Sequence, residues 1–594
     1  MVTKLLAATL VTGALVFAPV AAHAQSATAA TEIVPASPLP ELARNEQLIL
    51  GWSVTSPIGV TNPWAVPGYT HQEGNVFMWE PLMYFGIFSD QEIPWLAESM
   101  EYTNDDFTEL RIALNPLAEW SDGTPVTSAD VVFTFEGQMN NTMLPYHAQF
   151  DQFVESVTAV DEHTVDVTFK IPAPRFKFEV LTEKFDTGIP IVPAHALSEV
   201  DDVNSYPGGT DIPHSGPYDL VAWNMNQKIF ELREDWWGVE AGLVDDVPAV
   251  KRIVIVNLGG QVGQNMDTVA QRIVNNEMDS ALDMRSTVIG NILAQNPAVT
   301  THAGNESPYG YLDWWPNSLW VNTQLEPYSD ARVRRAMNRV IDRQLINDIL
   351  YEGAEIATIF PFPLYPGLQA FVDTPEVQAL IEQYEPGKMD ADESAALMEE
   401  AGFTRNGDGM WERDGETVNA TIQAFEGIHS DIAPILVEML RNGGFDASLN
   451  FGTDALQNMT DGAAGLYLFG HGASLKDPYA TFELYHGRYS NAIGVAAGNN
   501  RFSRYANPEY DAILDIMAPL SSDDPVFQEN AVKALEIYWR DQIDIPIIQW
   551  LHRIAYNQTY WTNWPTAENP ALGTNGAFWA HTGLPVVVSL QPAE

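Results

Sequence analysis

The residues in this chain with the most obvious chemical use are its tryptophans. There are 17. Trp52 follows Leu48-Ile49-Leu50-Gly51, Trp314-Trp315 precedes Trp320, Trp550 stands alone, and Trp561 and Trp564 share Trp561-Thr562-Asn563-Trp564-Pro565. A flat indole face suits the apolar C–H face of a pyranose, and its N–H can address a hydroxyl at the ring edge. Any one Trp reads first as core packing; as a set, at least three are expected against a ligand. Metal chemistry finds little here. The 12 His are scattered and Cys is absent, so no thiolate site, thiol nucleophile or disulfide framework exists. Asn406-Gly407-Asp408-Gly409 superficially resembles a calcium loop, but lacks its alternating carboxylates and terminal Glu, and reads as a turn between strands. No metal, cofactor or catalytic residue is assigned. G-x-S-x-G, P-loop and G-x-G-x-x-G patterns are missing. With 79 carboxylates, chance acid pairs leave a secreted glycoside hydrolase open as a distant alternative.

The elements that must position these residues alternate between strand and helix. Leu110, Ile112 and Leu114 alternate as in a half-buried strand, and Asp122-Gly123 supplies a turn. Thr127-Ser128-Ala129-Asp130 then opens the run Val131-Val132-Phe133 like a capping box. Strand-like patterns at Val157–Phe169 and Ile229–Arg233 interleave with helical ones at Asp330–Tyr351 and Met389–Ala401. The fold class is α/β. At 594 residues, two or three domains are expected. A formal charge of -50 argues against nucleic acid or an anionic membrane face as partner. Lys4, the apolar run Leu5–Val20 and Ala22-His23-Ala24 form a secretory signal, with cleavage expected after Ala24. The run is short of the roughly 20 residues that span a bilayer.

Several motifs recur in an order that carries more information than any one of them. They are Trp79-Glu80-Pro81-Leu82; Pro94-Trp95-Leu96-Ala97-Glu98-Ser99; Trp120-Ser121-Asp122-Gly123; and Ser215-Gly216-Pro217-Tyr218 with Asp235-Trp236-Trp237-Gly238. Asn322-Thr323 with Asp330-Ala331-Arg332-Val333-Arg334-Arg335-Ala336 and Ile341-Asp342-Arg343 comes next. Leu397-Met398-Glu399-Glu400-Ala401-Gly402-Phe403, Asn507-Pro508-Glu509-Tyr510-Asp511 and Ile545-Pro546-Ile547-Ile548 complete the set. This series resembles the family 5 solute-binding proteins of ABC importers, the group of oligopeptide, dipeptide, nickel and oligosaccharide binders.

The resemblance implies a two-lobed periplasmic-binding-protein clamp of three domains, with ligand in the interlobe cleft. Residues 1–24 would be the signal peptide and 25–45 a disordered leader. Lobe I would combine 46–80, 212–315 and 548–594, with an inserted domain at 81–211. Lobe II would span 316–547, with hinges near Trp315–Asn322 and Asp544–Gln549. It also implies a non-enzymatic monomer in the periplasm that hands its solute to ABC permease subunits. In peptide-binding relatives, the loop matching Tyr467–Pro478 carries an Asp just after the Ala, where it pairs with the peptide's ammonium group. Here that position is Ser474, and His471 stands where peptide binders carry an aromatic. Asp477 reads as a turn or capping residue, although a one-residue shift would present it instead. The departure favours an oligosaccharide, with an oligopeptide as the alternative. Trp561–Pro570 also resembles the C-terminal segment of cello-oligosaccharide binders. The expected ligand-binding residues are Trp52, Trp315, His471, Ser474 and Trp550, followed by Trp564 and Asn322.

Overall fold

The structure, a computed structural model, describes residues 32–66, 73–184, 187–259, 265–281, 284–424, 430–498, 501–568 and 582–594. The signal-peptide reading, residues 1–24, lies outside them. Of the stretch expected as a leader, residues 32–45 are described, and they bond to residues of the 218–281 segment. Ile33 exchanges backbone hydrogen bonds with Trp223, and Arg44 Nη2 lies 2.8 Å from Asp279 Oδ1.

Two mixed sheets organise the molecule, confirming the α/β clamp. The first has five strands in the order Ser280–Ala281, Gln47–Trp52, Arg252–Asn257, Gln227–Leu232, Tyr218–Asn224. Gln47–Trp52 runs parallel to Arg252–Asn257, so Trp52 emerges beside Asn257 at the strand end. The second has six strands in the order Ile356–Ala357, Ile545–His552, Tyr311–Val321, Leu466–Gly470, Asn419–Gln423, Asp446–Asn450. Its period-two alternation sorts side chains into two cores: Leu319, Val321, Leu466 and Leu468 face one, Trp320 and Tyr467 the other.

The inserted region carries a four-stranded antiparallel sheet, whose strand Glu109–Leu114 buries Leu110, Ile112 and Leu114 as the alternation requires. Helix Ser128–Asn140 begins at the expected capping box, with Thr127 N donating to Asp130 Oδ2 at 2.8 Å. Gly123 takes φ +81 in the turn before it. The pattern at 157–169 resolves into a hairpin, Val154–Asp161 and Thr164–Phe169. The helical run from Asp330 breaks into Ala331–Asn338 and Arg343–Tyr351, each capped by an Asp side chain, Asp330 and Asp342. Asn406–Gly409 is the turn between Thr404–Arg405 and Trp411–Arg413.

The long strands Tyr311–Val321 and Ile545–His552, which carry the two expected hinges, lie side by side. Their pairing is interrupted between Leu312 and Pro316 and again between Asn317 and Ser318. The first gap holds Asp313, Trp314 and Trp315. Beyond the strand ends, Arg553 Nη1 meets Glu355 Oε1 at 2.6 Å, both buried.

Candidate functional site

The motif residues are mostly scaffold. Glu80 is wholly buried and accepts three indole N–H bonds: from Trp95 at 2.8 Å and Trp236 at 3.1 Å on Oε1, and from Trp237 at 2.9 Å on Oε2. Burial pushes its carboxyl up to about 7, against the pull of these donors and the Ser215 hydroxyl. Arg334 donates to the carbonyls of Tyr328, Ser329, Asp541 and Gln542. Arg343 donates to those of Thr358 and Pro546. These side chains pay the hydrogen-bond debt of buried loops, which is why their types and spacing are restrictive.

The expected ligand residues fall into two sets. Trp315 and Trp550 lie on the paired strands Tyr311–Val321 and Ile545–His552, and Trp52 ends the strand Gln47–Trp52 of the first sheet. Trp52 is 7% exposed at its strand end, where its carbonyl accepts from Leu258 N at 2.8 Å. Trp315 is half-buried in the strand irregularity and packs on Phe469 with ring centroids 5.0 Å apart. It lies on two glycines. A Cβ at Gly470 would come within 2.7 Å of the indole, and one at Gly472 within 2.1 Å. Trp550 is half-buried and meets Tyr351 edge to face at 5.6 Å.

Asn322, His471, Ser474 and Trp564 are buried, with bonds inside their own lobes. Asn322 Nδ2 donates to Gly462 O at 3.0 Å. His471 stacks on Trp320 at 4.2 Å, with Nε2 2.8 Å from Asp544 Oδ2. Ser474 and Thr481 bond reciprocally: Ser474 N to Thr481 Oγ1 at 3.1 Å, and Thr481 N to Ser474 Oγ at 2.9 Å. Trp564 stacks on Tyr556 at 4.9 Å and donates to Trp561 O at 3.0 Å.

Three features escape a reading of the sequence. Asp477 Oδ2 is 3.1 Å from Nε of Arg175, a residue of the inserted region, and Asp477 Oδ1 accepts from Tyr479 N at 2.8 Å. Secondly, Tyr351 Oη and Trp550 Nε1 are both buried with no hydrogen-bond partner. Arg285 and Asp431, 146 residues apart in the chain, pair at 3.3 Å. Thirdly, Glu73 gathers the loop after Trp52, accepting from Thr55 N at 2.5 Å and Ser56 N at 3.0 Å. Lys228 Nζ lies 3.7 Å away, and burial pulls that amine down to about 7. Only the capping potential of Asp477 had a local signal; the other contacts join residues remote in the chain.

A cavity of about 290 Å³ lies between residues 63–66 and 76–84 on one side and residues 138–146, 183 and 188–190 on the other, with Trp64, Trp79, Tyr84 and Tyr146 among its walls. Among the described residues, none of 316–547 lines it. Among the described residues, no group of three or more His, Asp or Glu is placed to hold a metal ion, and no helix is long and apolar enough to cross a membrane.

Two α/β lobes joined by adjacent crossing strands, with aromatic side chains gathered at the crossing, define a periplasmic-type binding protein. Residues 91–492 match the family described as bacterial extracellular solute-binding proteins, family 5 (middle region), and the chain belongs to that family. Protein XP55 of Streptomyces lividans is 26% identical over 456 residues, 75% of this chain and 73% of that protein. The periplasmic oligopeptide-binding protein OppA of Salmonella typhimurium is 26% identical over 334 residues, 52% of this chain and 55% of OppA. Among solved structures, a periplasmic oligopeptide-binding protein of an oligopeptide ABC transporter from Thermotoga maritima superposes with TM-score 0.80 at 25% identity, covering 92% of this chain and 99% of that one. Its mannohexaose-bound form gives TM-score 0.72 at 24% identity, covering 93% and 99%.

Proposed function

We propose that this protein is the periplasmic solute-binding component of an ABC importer, that its solute is an oligosaccharide, and that it works as a monomer which closes on the ligand and presents it to the permease. The observation that carries the choice of solute is the state of Asp477. It is the sole carboxylate between His471 and Pro478, and both its oxygens are engaged, by Arg175 and by Tyr479 N. A peptide ammonium enclosed in a cleft needs a free carboxylate, because an unpaired buried charge is strongly unfavourable. This loop offers none, whereas a neutral polyhydroxyl chain needs none. The half-buried indoles of Trp315 and Trp550, with Trp52, supply stacking faces, and the unpartnered Trp550 N–H and Tyr351 hydroxyl supply donors for sugar oxygens. His471, whose N donates to Pro316 O next to Trp315, has a supporting role here, as do Ser474, Asn322 and Trp564, which are buried. The mannohexaose-bound form of the Thermotoga protein, which shares this fold, supports the reading. An oligopeptide is the second reading, favoured by the oligopeptide-binding proteins among the relatives.

Closure follows from differential affinity: a ligand that touches both lobes stabilises the closed form by the contacts the open form lacks. Titration calorimetry with mannohexaose, a cello-oligosaccharide and peptides of three to nine residues tests the reading. Sugar binding without turnover is expected. Binding of peptide alone would overturn the choice of solute, and hydrolysis of a sugar would overturn the transport role.

A further inference from the structure

Arg175 leaves the inserted region and enters a socket on the opposite lobe. Its Nε faces Asp477, with Oδ2 at 3.1 Å and Oδ1 at 3.5 Å. Nη1 reaches the carbonyls of Ala518 at 3.3 Å and Met517 at 3.5 Å, at the C-terminal end of helix Pro508–Met517, where the helix dipole is negative. The guanidinium lies over two rings, 4.4 Å from the centre of Tyr479 and 4.6 Å from that of Phe527. Carboxylate, helix end and two aromatic faces therefore converge on one planar cation. Beside it, Lys476 Nζ sits 5.5 Å above the ring of Phe85, again from lobe II to the inserted region. Leu475 and Tyr365 of lobe II are packed into the core that the inserted region shares with lobe I.

The socket is incomplete in one respect. Arg175 Nη2 is buried without an acceptor. A guanidinium taken out of water with one nitrogen unsatisfied recovers only part of its desolvation cost. The joint is therefore weak enough for ligand contacts to bias, unlike the fully paired Arg334 and its four carbonyls.

We propose that Arg175 is a latch: docked on Asp477, Tyr479, Phe527 and the 517–518 carbonyls, it ties the inserted domain to lobe II and sets the ratio of closed to open protein, and hence ligand affinity, without touching ligand. The proposal rests on the binding-protein reading but not on the identity of the solute. Arg175 is a positioning residue, and its substitution acts on the lobe equilibrium rather than on contacts with the solute.

The chain has no cysteine, so paired spin labels go onto the exposed positions Val160→Cys in the inserted domain and Ile349→Cys in lobe II. Distance distributions are measured by pulsed electron resonance, without ligand and with mannohexaose. In ligand-free protein, Arg175→Ala is expected to raise the ratio of long to short distances at least about tenfold, the scale of losing one charge-assisted hydrogen bond. Asp477→Asn should move it the same way by less, and Arg175→Lys should restore part of the short population. A ligand-free distribution unchanged in Arg175→Ala overturns the latch. Should that variant fail to fold, the isosteric Asp477→Asn decides, and an unchanged distribution there overturns it equally. A sugar response with unchanged ligand-free distributions rejects the latch alone. Shifted distributions with no sugar response reject the sugar reading and leave the latch standing.

Discussion

The carboxylate of Glu80 and the indole N–H of Trp237 are separated by 157 residues in sequence and by 2.9 Å in a site closed to solvent. Trp95 from the inserted region donates to the same carboxylate, so a single acid fastens that region to lobe I. The family's two most visible motif segments, around Trp79 and around Trp236, are thus halves of one joint.

Removing this acceptor leaves three buried indole donors unpaired. Glu80→Ala is expected to lower the unfolding free energy by about 3–5 kcal/mol, read by denaturant titration. The proton adds a pH signature. The folded carboxyl titrates at about 7 against 4.5 in the unfolded chain, so between those values the folded state holds a proton the unfolded state has lost. Stability from this group is full below about pH 4.5 and falls as pH rises towards 7, by up to roughly 3 kcal/mol. Glu80→Gln should remove this contribution, so that the variant's stability rises more steeply with pH between about 4.5 and 7 than that of the wild type. A variant with the wild-type profile would leave Glu80 without a part in it.

His302 produces the opposite slope. It is packed against Phe88 at 4.9 Å and Tyr311 at 5.3 Å, and burial pulls its imidazole down to about 4. Between 6.5 and about 4 the unfolded chain takes up a proton that the folded one refuses, so stability falls as pH falls through that window, by roughly 2–3 kcal/mol. His302→Phe is expected to hold its stability better than wild type between pH 6.5 and 4.5. Because the two groups oppose each other, the wild-type profile should be flatter than that of either variant.

Gly472 gives way to the indole of Trp315, since a Cβ there would sit 2.1 Å from its nitrogen. Gly472→Ala must displace that ring. The expected result is an intact fold with a shifted tryptophan emission and at least about a tenfold loss of sugar affinity, the scale of one misplaced large apolar contact. Unchanged affinity would place Trp315 outside the ligand site.

Tyr351 and Trp550 separate ligand binding from stability. Their buried, unpartnered donors cost the ligand-free protein free energy that a ligand oxygen would recover. Tyr351→Phe is therefore expected to raise the ligand-free melting temperature slightly while weakening sugar binding by about 0.5–1.5 kcal/mol. Trp550→Ala should cost more, about 1–3 kcal/mol of binding, because the stacking face goes too. A Tyr351→Phe protein that melts lower with unchanged affinity would make the hydroxyl structural.

The amino-acid sequence determined the elements and the family. Thr127 and Asp130, Asp330 and Asp342, Asp122-Gly123 and Asn406–Gly409 act within a few residues of themselves, so their caps and turns form wherever the segment lies. The motif order was legible because Glu80, Arg334 and Arg343 each satisfy buried groups that tolerate few other side chains. Which indoles meet solvent at the crossing strands was not legible: Trp52, Trp320, Trp561 and Trp564 look alike in sequence to Trp315 and Trp550. The face each presents depends on strand register, a one-residue matter that only the pairing with Ile545–His552 and Leu466–Gly470 decides. The same holds for Asp477. From its neighbours it is a capping residue, and it does cap Tyr479 N. Its second partner, Arg175, is 302 residues away and comes within reach only through packing that joins segments remote in the chain, Leu475 among them.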